Sequence, residues 1–157
     1  MTVLYSTGLI NKLFGEQGVE TGANGLKGLM KNGVIRVYSG AQPADADSVP
    51  TGTLLGSITT AGLSFTEGTA TNGLQLLAPV GRTVSKAASV WTYTGVAAGT
   101  MGWFRFQANA VDDDSVSTSL VRIDGSVGIT SGDMRVTSVT SAIASTATID
   151  TFVITAA

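Results

Sequence analysis

KNGVIRVYSGAQPADAD, residues Lys31 to Asp47, is where helix gives way to sheet, and its reading decides the fold. Asn32-Gly33 stops the preceding helical segment, because glycine accepts the left-handed backbone of a helix C-cap without a Cβ penalty. Val34 to Tyr38 then supplies β-branched and aromatic residues suited to a pleated, half-buried surface. Ser39-Gly40 followed by Gln42-Pro43 ends this strand in a turn.

Upstream, Thr2 to Tyr5 reads as a short strand, and Ser6 or Thr7 caps a short helix. Leu9, Ile10, Leu13 and Phe14 form one apolar stripe on that helix, ended by Gly15. The stripe either packs on its own domain or docks on a neighbouring subunit, which makes these four residues, with Trp103, the candidate interface. Glu16 to Gly25 reads as loop and Leu26 to Met30 as one further helical turn. Residues 1–32 are thus an N-terminal arm with one or two short helices, and residues 33–157 a β-sandwich domain, in a chain that is one domain overall.

Downstream, strands are expected over Thr53 to Thr60, Leu74 to Ala78, Thr83 to Ser85, Leu120 to Val127, Gly132 to Thr137 and Thr146 to Thr155. Val90 to Thr94 and Thr100 to Gln107 flank Gly95 to Gly99 and read as a hairpin. In its second arm Phe104 and Phe106 face the core, with Met101, Trp103 and Arg105 on the other face. Short strands separated by Gly, Asn and Pro predict a mainly β fold, an antiparallel sandwich or barrel-like domain.

Of the 157 residues only 13% are charged and 43% are hydrophobic, so small side chains and hydroxyls must cover much of the surface. That composition argues against disorder and suits a protein packed against neighbours. A formal charge of −2 and a pI near 4.8 provide no electrostatic footprint for nucleic acid or anionic lipid. No apolar run approaches the roughly 18 residues of a membrane span, and Met1 to Ile10 lacks the features of a signal peptide. Folding in a cytosol, without partners in nucleic acid or membrane, is the expectation.

With no cysteine and no histidine, the chain lacks disulfides, thiolate metal sites and the commonest acid/base group. Asp112, Asp113, Asp114 and Asp124 could supply oxygen ligands to calcium, although no EF-hand phrase accompanies them. Glu67, Asp124, Asp133 and Asp150 are the carboxylates from which a glycosidase pair would have to come. No G-x-S-x-G elbow or phosphate loop occurs. Trp91, Tyr93 and Trp103 are either core and interface residues or a stacking platform for a sugar. The expectation is a protein that is not an enzyme and carries no cofactor.

NGVIRVYSGAQPADAD at Asn32 to Asp47, TGTLLGSIT at Thr51 to Thr59, FTEGTATNGL at Phe65 to Leu74, GTMGWFRF at Gly99 to Phe106 and LVRIDGSVG at Leu120 to Gly128 together resemble a family of small structural proteins of tailed bacteriophages and prophages. STGLINKLFG at Ser6 to Gly15 fits the same pattern, so the resemblance spans nearly the whole chain. It implies a virion component without enzymatic activity, made in the bacterial cytoplasm, and it carries over no active-site residue. Within that class the expectation is a capsid decoration, or cement, protein whose partners are the major capsid protein, other virion proteins and further copies of itself. The alternatives are a tail, neck or fibre component, a carbohydrate-binding receptor module using Trp91 or Trp103, and a glycan-cleaving enzyme.

Overall fold

The computed structural model describes residues 3–13 and 25–155. Phe14, Gly15 and most of the loop expected after them lie outside the described residues. The elements are β1 (Leu4–Tyr5), α1 (Thr7–Leu13), α2 (Gly25–Leu29), β2 (Val34–Ser39), β3 (Leu54–Thr60), β4 (Thr83–Ser85), β5 (Trp91–Gly95), β6 (Gly99–Gln107), β7 (Arg122–Gly128), β8 (Met134–Arg135), β9 (Thr140–Ser141), β10 (Thr146–Ile149) and β11 (Val153–Thr155). The fold is mainly β, and it is not a closed barrel. One large, almost wholly antiparallel sheet runs β1-β7-β6-β2-β3-β5-β10, with β8 and β9 attached to β7 and β6, and β4 and β11 form a second, small sheet.

The helix stop before β2 works differently from the expectation. Asn32, not Gly33, holds the left-handed conformation, at φ 59°, one of the few non-glycine residues that tolerates it. Gly33 is needed for space, because a Cβ there would collide with the Gln107 carbonyl and the Phe106 ring. At the other helix Ser6 is the cap: its hydroxyl accepts from the Leu9 amide (3.1 Å) and the Arg122 amide (2.9 Å) and donates to the Leu120 carbonyl (2.7 Å). One side chain thus caps α1 and fastens β1 beside β7.

The expected hairpin of β5 and β6 does not form. β5 pairs with β3, β6 pairs with β2, and the β2–β3 pair lies between them. The spatial order β6-β2-β3-β5 is a Greek key. The sequence between β5 and β6 looked like a hairpin turn, but Val96 and Ala97 instead arch over the end of β3, both donating to the Leu55 carbonyl (2.7 and 3.2 Å). Four Cα steps from Gly95 to Gly99 reach at most about 14 Å. Three strand spacings in a flat sheet take up about the same distance, so the arch leaves the sheet little freedom to flatten.

Side-chain alternation sorts the large sheet into two faces. Ile35, Val37, Ile58, Tyr93, Phe104, Phe106 and Ile123 enter the core, and Leu9 of α1 and Met30 join them, all essentially inaccessible. Met101 was expected beside Trp103 on the opposite face. It lies in the core, because the register between β2 and β6 shifts at Tyr38/Ser39, opposite Gly102, and one extra residue reverses the alternation. Leu74 to Ala78 makes only isolated bridges rather than a strand. The terminal segment is two strands rather than one: β10 pairs with β5, and β11 crosses to pair with β4.

Phe152, at that crossing, closes the core. Its ring contacts Trp91 (5.4 Å between centroids), Phe104 (5.6 Å) and Phe106 (5.9 Å), so one side chain joins the terminal crossover to strands β5 and β6. Phe152→Ala is expected to cost about 3–5 kcal/mol. It should lower the urea unfolding midpoint markedly; a variant with an unchanged midpoint would show that the crossing is not part of the cooperative core.

Candidate functional site

The outer face of the large sheet carries the chain's concentrated charge. Register places Arg36 of β2 opposite Arg105 of β6, and Arg105 opposite Asp124 of β7. Directly opposed like charges destabilise a sheet, and here the loop between β6 and β7 supplies the remedy. Asp114 accepts from Arg36 Nη1 (3.0 Å), the Tyr38 hydroxyl (2.9 Å) and Gln107 Nε2 (2.8 Å), and lies 3.6 Å from Arg105 Nη1. Arg105 itself is fully buried and donates from Nε and Nη2 to the two oxygens of Asp124, each at 2.8 Å. Asp112 accepts from Arg122 Nε (2.7 Å), and Glu67 pairs with Arg36 while accepting from the Asp112 amide (3.0 Å). Three arginines and four carboxylates interlock.

The same bonds hold two loops over the face. Arg105 Nη2 also donates to the Ser48 carbonyl (3.0 Å), and Trp103 Nε1 to the Thr51 carbonyl (3.2 Å), so residues 40–53 roof β6. Trp103 stacks on Tyr38 at 4.5 Å and 14°. Its side chain is fully buried under its own chain, which corrects its nomination as an interface residue. Trp91 and Tyr93 are buried in the core, so none of the three aromatics offers a sugar a platform.

The carboxylates nominated for calcium are also accounted for differently. Asp112, Asp114 and Asp124 serve as counter-ions to arginines, and Asp113 is exposed, accepting from the Ser115 amide (3.0 Å). Among the described residues no group of three or more acidic side chains is arranged around a common cation position. Of the carboxylates considered for glycoside hydrolysis, Glu67 and Asp124 belong to the ionic network, Asp133 accepts from the Ser126 amide and hydroxyl (2.8 and 2.7 Å), and Asp150 is exposed on another segment. In the N-terminal stripe Leu9 is in the core, Ile10 is half-buried, Leu13 is exposed, and Phe14 lies outside the described residues.

Beside the network, an open groove of about 430 Å³ crosses β2, β3 and β5. Its floor is a cross-strand row of Arg36, Ser57 and Thr94, with Thr59 beside it. Leu54, Leu63, Phe65 and Val96 form apolar walls, and Glu67 stands at the end next to Arg36. No protein-family model, curated protein or solved structure matches the chain.

No motif marks Arg36, Arg105 and Arg122 in the sequence, and each is unremarkable alone. A signal was present: outward-facing arginines need acids, and the Asp112 to Asp114 run is the chain's densest cluster of them.

Burial and then the Asp114 charge hold the Tyr38 phenol well above its ordinary range. Burial likewise raises Tyr5 and Tyr93, and these are all three tyrosines of the chain. With folded values above the unfolded value of 10.0, this contribution to stability is complete below that pH and is lost as pH rises above it. Phenolate absorbance of the native protein is expected to emerge at higher pH than that of the protein in denaturant, which should titrate near 10. Three phenols ionising near 10 in a still-folded protein would contradict this.

Asp114 has φ 61°, which asparagine also tolerates, so Asp114→Asn removes the charge without backbone strain. The expected loss is about 2–4 kcal/mol, because it leaves Arg36 facing Arg105, read as a lower urea midpoint at constant slope. Asp113→Asn should leave the midpoint unchanged.

Proposed function

We propose that this chain is a structural protein of a tailed-bacteriophage virion, without enzymatic activity, and within that class a capsid decoration protein that ties neighbouring shell subunits together. The phrase-level resemblance to small phage structural proteins supports the class. The observation that carries the docking role is the outward side of the small sheet. In β11 Ile154 is buried whereas Val153 and Thr155 are exposed. The segment 76–80 runs beside β4 through the bridges Leu76 to Lys86 and Val80 to Thr83, leaving Leu77 about half exposed and Val80 79% exposed.

Leu77, Val80, Thr83, Ser85, Val153 and Thr155 thus make an uncharged ribbon with three apolar side chains turned to solvent, while the arginines of the opposite layer are neutralised within the fold. An apolar ribbon on a rigid support suits permanent cover by a partner. Copies on the shell would bind the assembled capsid in preference to free subunits, and such selective binding stabilises the assembled state by mass action.

Quantitative mass spectrometry of purified particles, with an unsymmetrised reconstruction, tests the reading. Hundreds of copies on the shell are expected; a handful at one vertex or along the tail would replace decoration with a neck or tail role. Val80→Asp and Val153→Asp should leave the isolated protein folded and abolish its rebinding to particles stripped of it. Rebinding at wild-type levels would remove the ribbon from the docking surface.

A further inference from the structure

We infer that the groove across β2, β3 and β5 is a binding site for a neutral saccharide. The inference is independent of the docking ribbon, since the groove floor alternates with core residues Ile35, Ile58 and Tyr93 and therefore lies on the face of the large sheet turned away from the small one.

Its volume of about 430 Å³ falls within the range of small-ligand sites, roughly 300–1,000 Å³. Three features set the ligand class. The hydroxyls of Ser57, Thr59 and Thr94 make no hydrogen bond to the rest of the described protein, and all three line the groove. Unused hydroxyls on fixed strands can both donate and accept, as the hydroxyls of a sugar also do.

Arg36 and Glu67 stand side by side at one end, with 23% and 22% of their side chains exposed. They present a donor and an acceptor together, the arrangement a vicinal diol completes. Because their charges cancel, and Asp114 already holds the other side of Arg36, the groove has no excess positive charge for a phosphate. The third feature is the wall: half-buried Phe65, with Leu63 beside it, offers an apolar surface for the C–H face of a pyranose ring. A wholly apolar ligand would leave the floor hydroxyls unmatched, and an extended peptide strand would find no free backbone edge in the middle of the sheet.

The test uses the full-length, isotopically labelled protein and three probes, maltose, cellobiose and N,N′-diacetylchitobiose, followed by amide chemical shifts. At least one disaccharide is expected to bind with a dissociation constant of roughly millimolar order, its shifts centred on Ser57, Thr59, Phe65 and Thr94. Phe65→Ala and Thr94→Val should each weaken that binding about tenfold or more while the remaining amide spectrum stays in place. Absence of shifts with all three sugars, shifts centred elsewhere, or variants that bind like the wild type would each overturn the proposal. So would groove shifts that grow with protein concentration in the absence of sugar, since they would assign the groove to a second copy. None of these outcomes bears on copy number in the particle, so this proposal and the decoration reading fail separately.

Discussion

The structure depends on one shared negative charge. Asp114 stands between Arg36 and Arg105, which the β2–β6 register places directly opposite each other. Without it the two facing guanidinium groups would have only Glu67 and Asp124 to set against their mutual repulsion, a cost that apolar packing on the other side of the sheet would have to offset. With it the register, Gln107 and the Tyr38 hydroxyl meet at a single carboxylate, while the loop over residues 108–121 is held as well by Asp112 on Arg122 and by Glu67. Buried ion networks are weak evidence for net stability. Their strength lies in penalising alternatives: a slip of one residue between β2 and β6 would put Phe104 or Phe106 where Arg105 now sits and carry the guanidinium into the core.

The two faces of the large sheet therefore have different tasks. The apolar face is closed by the small sheet and by Phe152, and the ionic face by loops pinned to arginines. The arch through Val96 and Ala97 makes these tasks compatible. By carrying the chain from β5 over to β6 it places the uncharged strands β3 and β5 on one side of β2 and the charged strands β6 and β7 on the other. The hydroxyl-floored groove and the arginine network consequently lie next to each other, with Arg36 belonging to both.

Much of the secondary structure was legible in the sequence because it depends on local pattern. The β-branched and aromatic run at Val34 to Tyr38, the alternation of Phe104 and Phe106 against Trp103 and Arg105, and a helix cap at Ser6 or Thr7, which proves to be Ser6, all require only neighbours within a few residues. The strand partners were not legible, because Gly95 to Gly99 is as good a hairpin turn as it is an arch, and only the intervening β2–β3 pair decides between them. Trp103 was misjudged for a similar reason: alternation put it outside the core correctly, but nothing local announces that residues 40–53 will roof it. Asp112 to Asp114 read as a solvated acidic tip because their counter-ions lie as far as 78 residues away. The groove hydroxyls belong to serine and threonine, so abundant in this chain that no single one stands out.

The pairing of β1 with β7 has a consequence for biosynthesis. Leu4 and Tyr5 lie opposite Asp124 and Ile123, and the Ser6 hydroxyl is bonded to the backbone of Leu120 and Arg122, 114 and 116 residues further along. A ribosome makes β1 long before β7, the edge that it joins. During that interval β1 has no partner strand, and its seating waits for β7. β1 thus stays unpaired until β7 has been made, so each nascent chain passes through a period in which this short strand is free to meet the same strand of the next chain on the message.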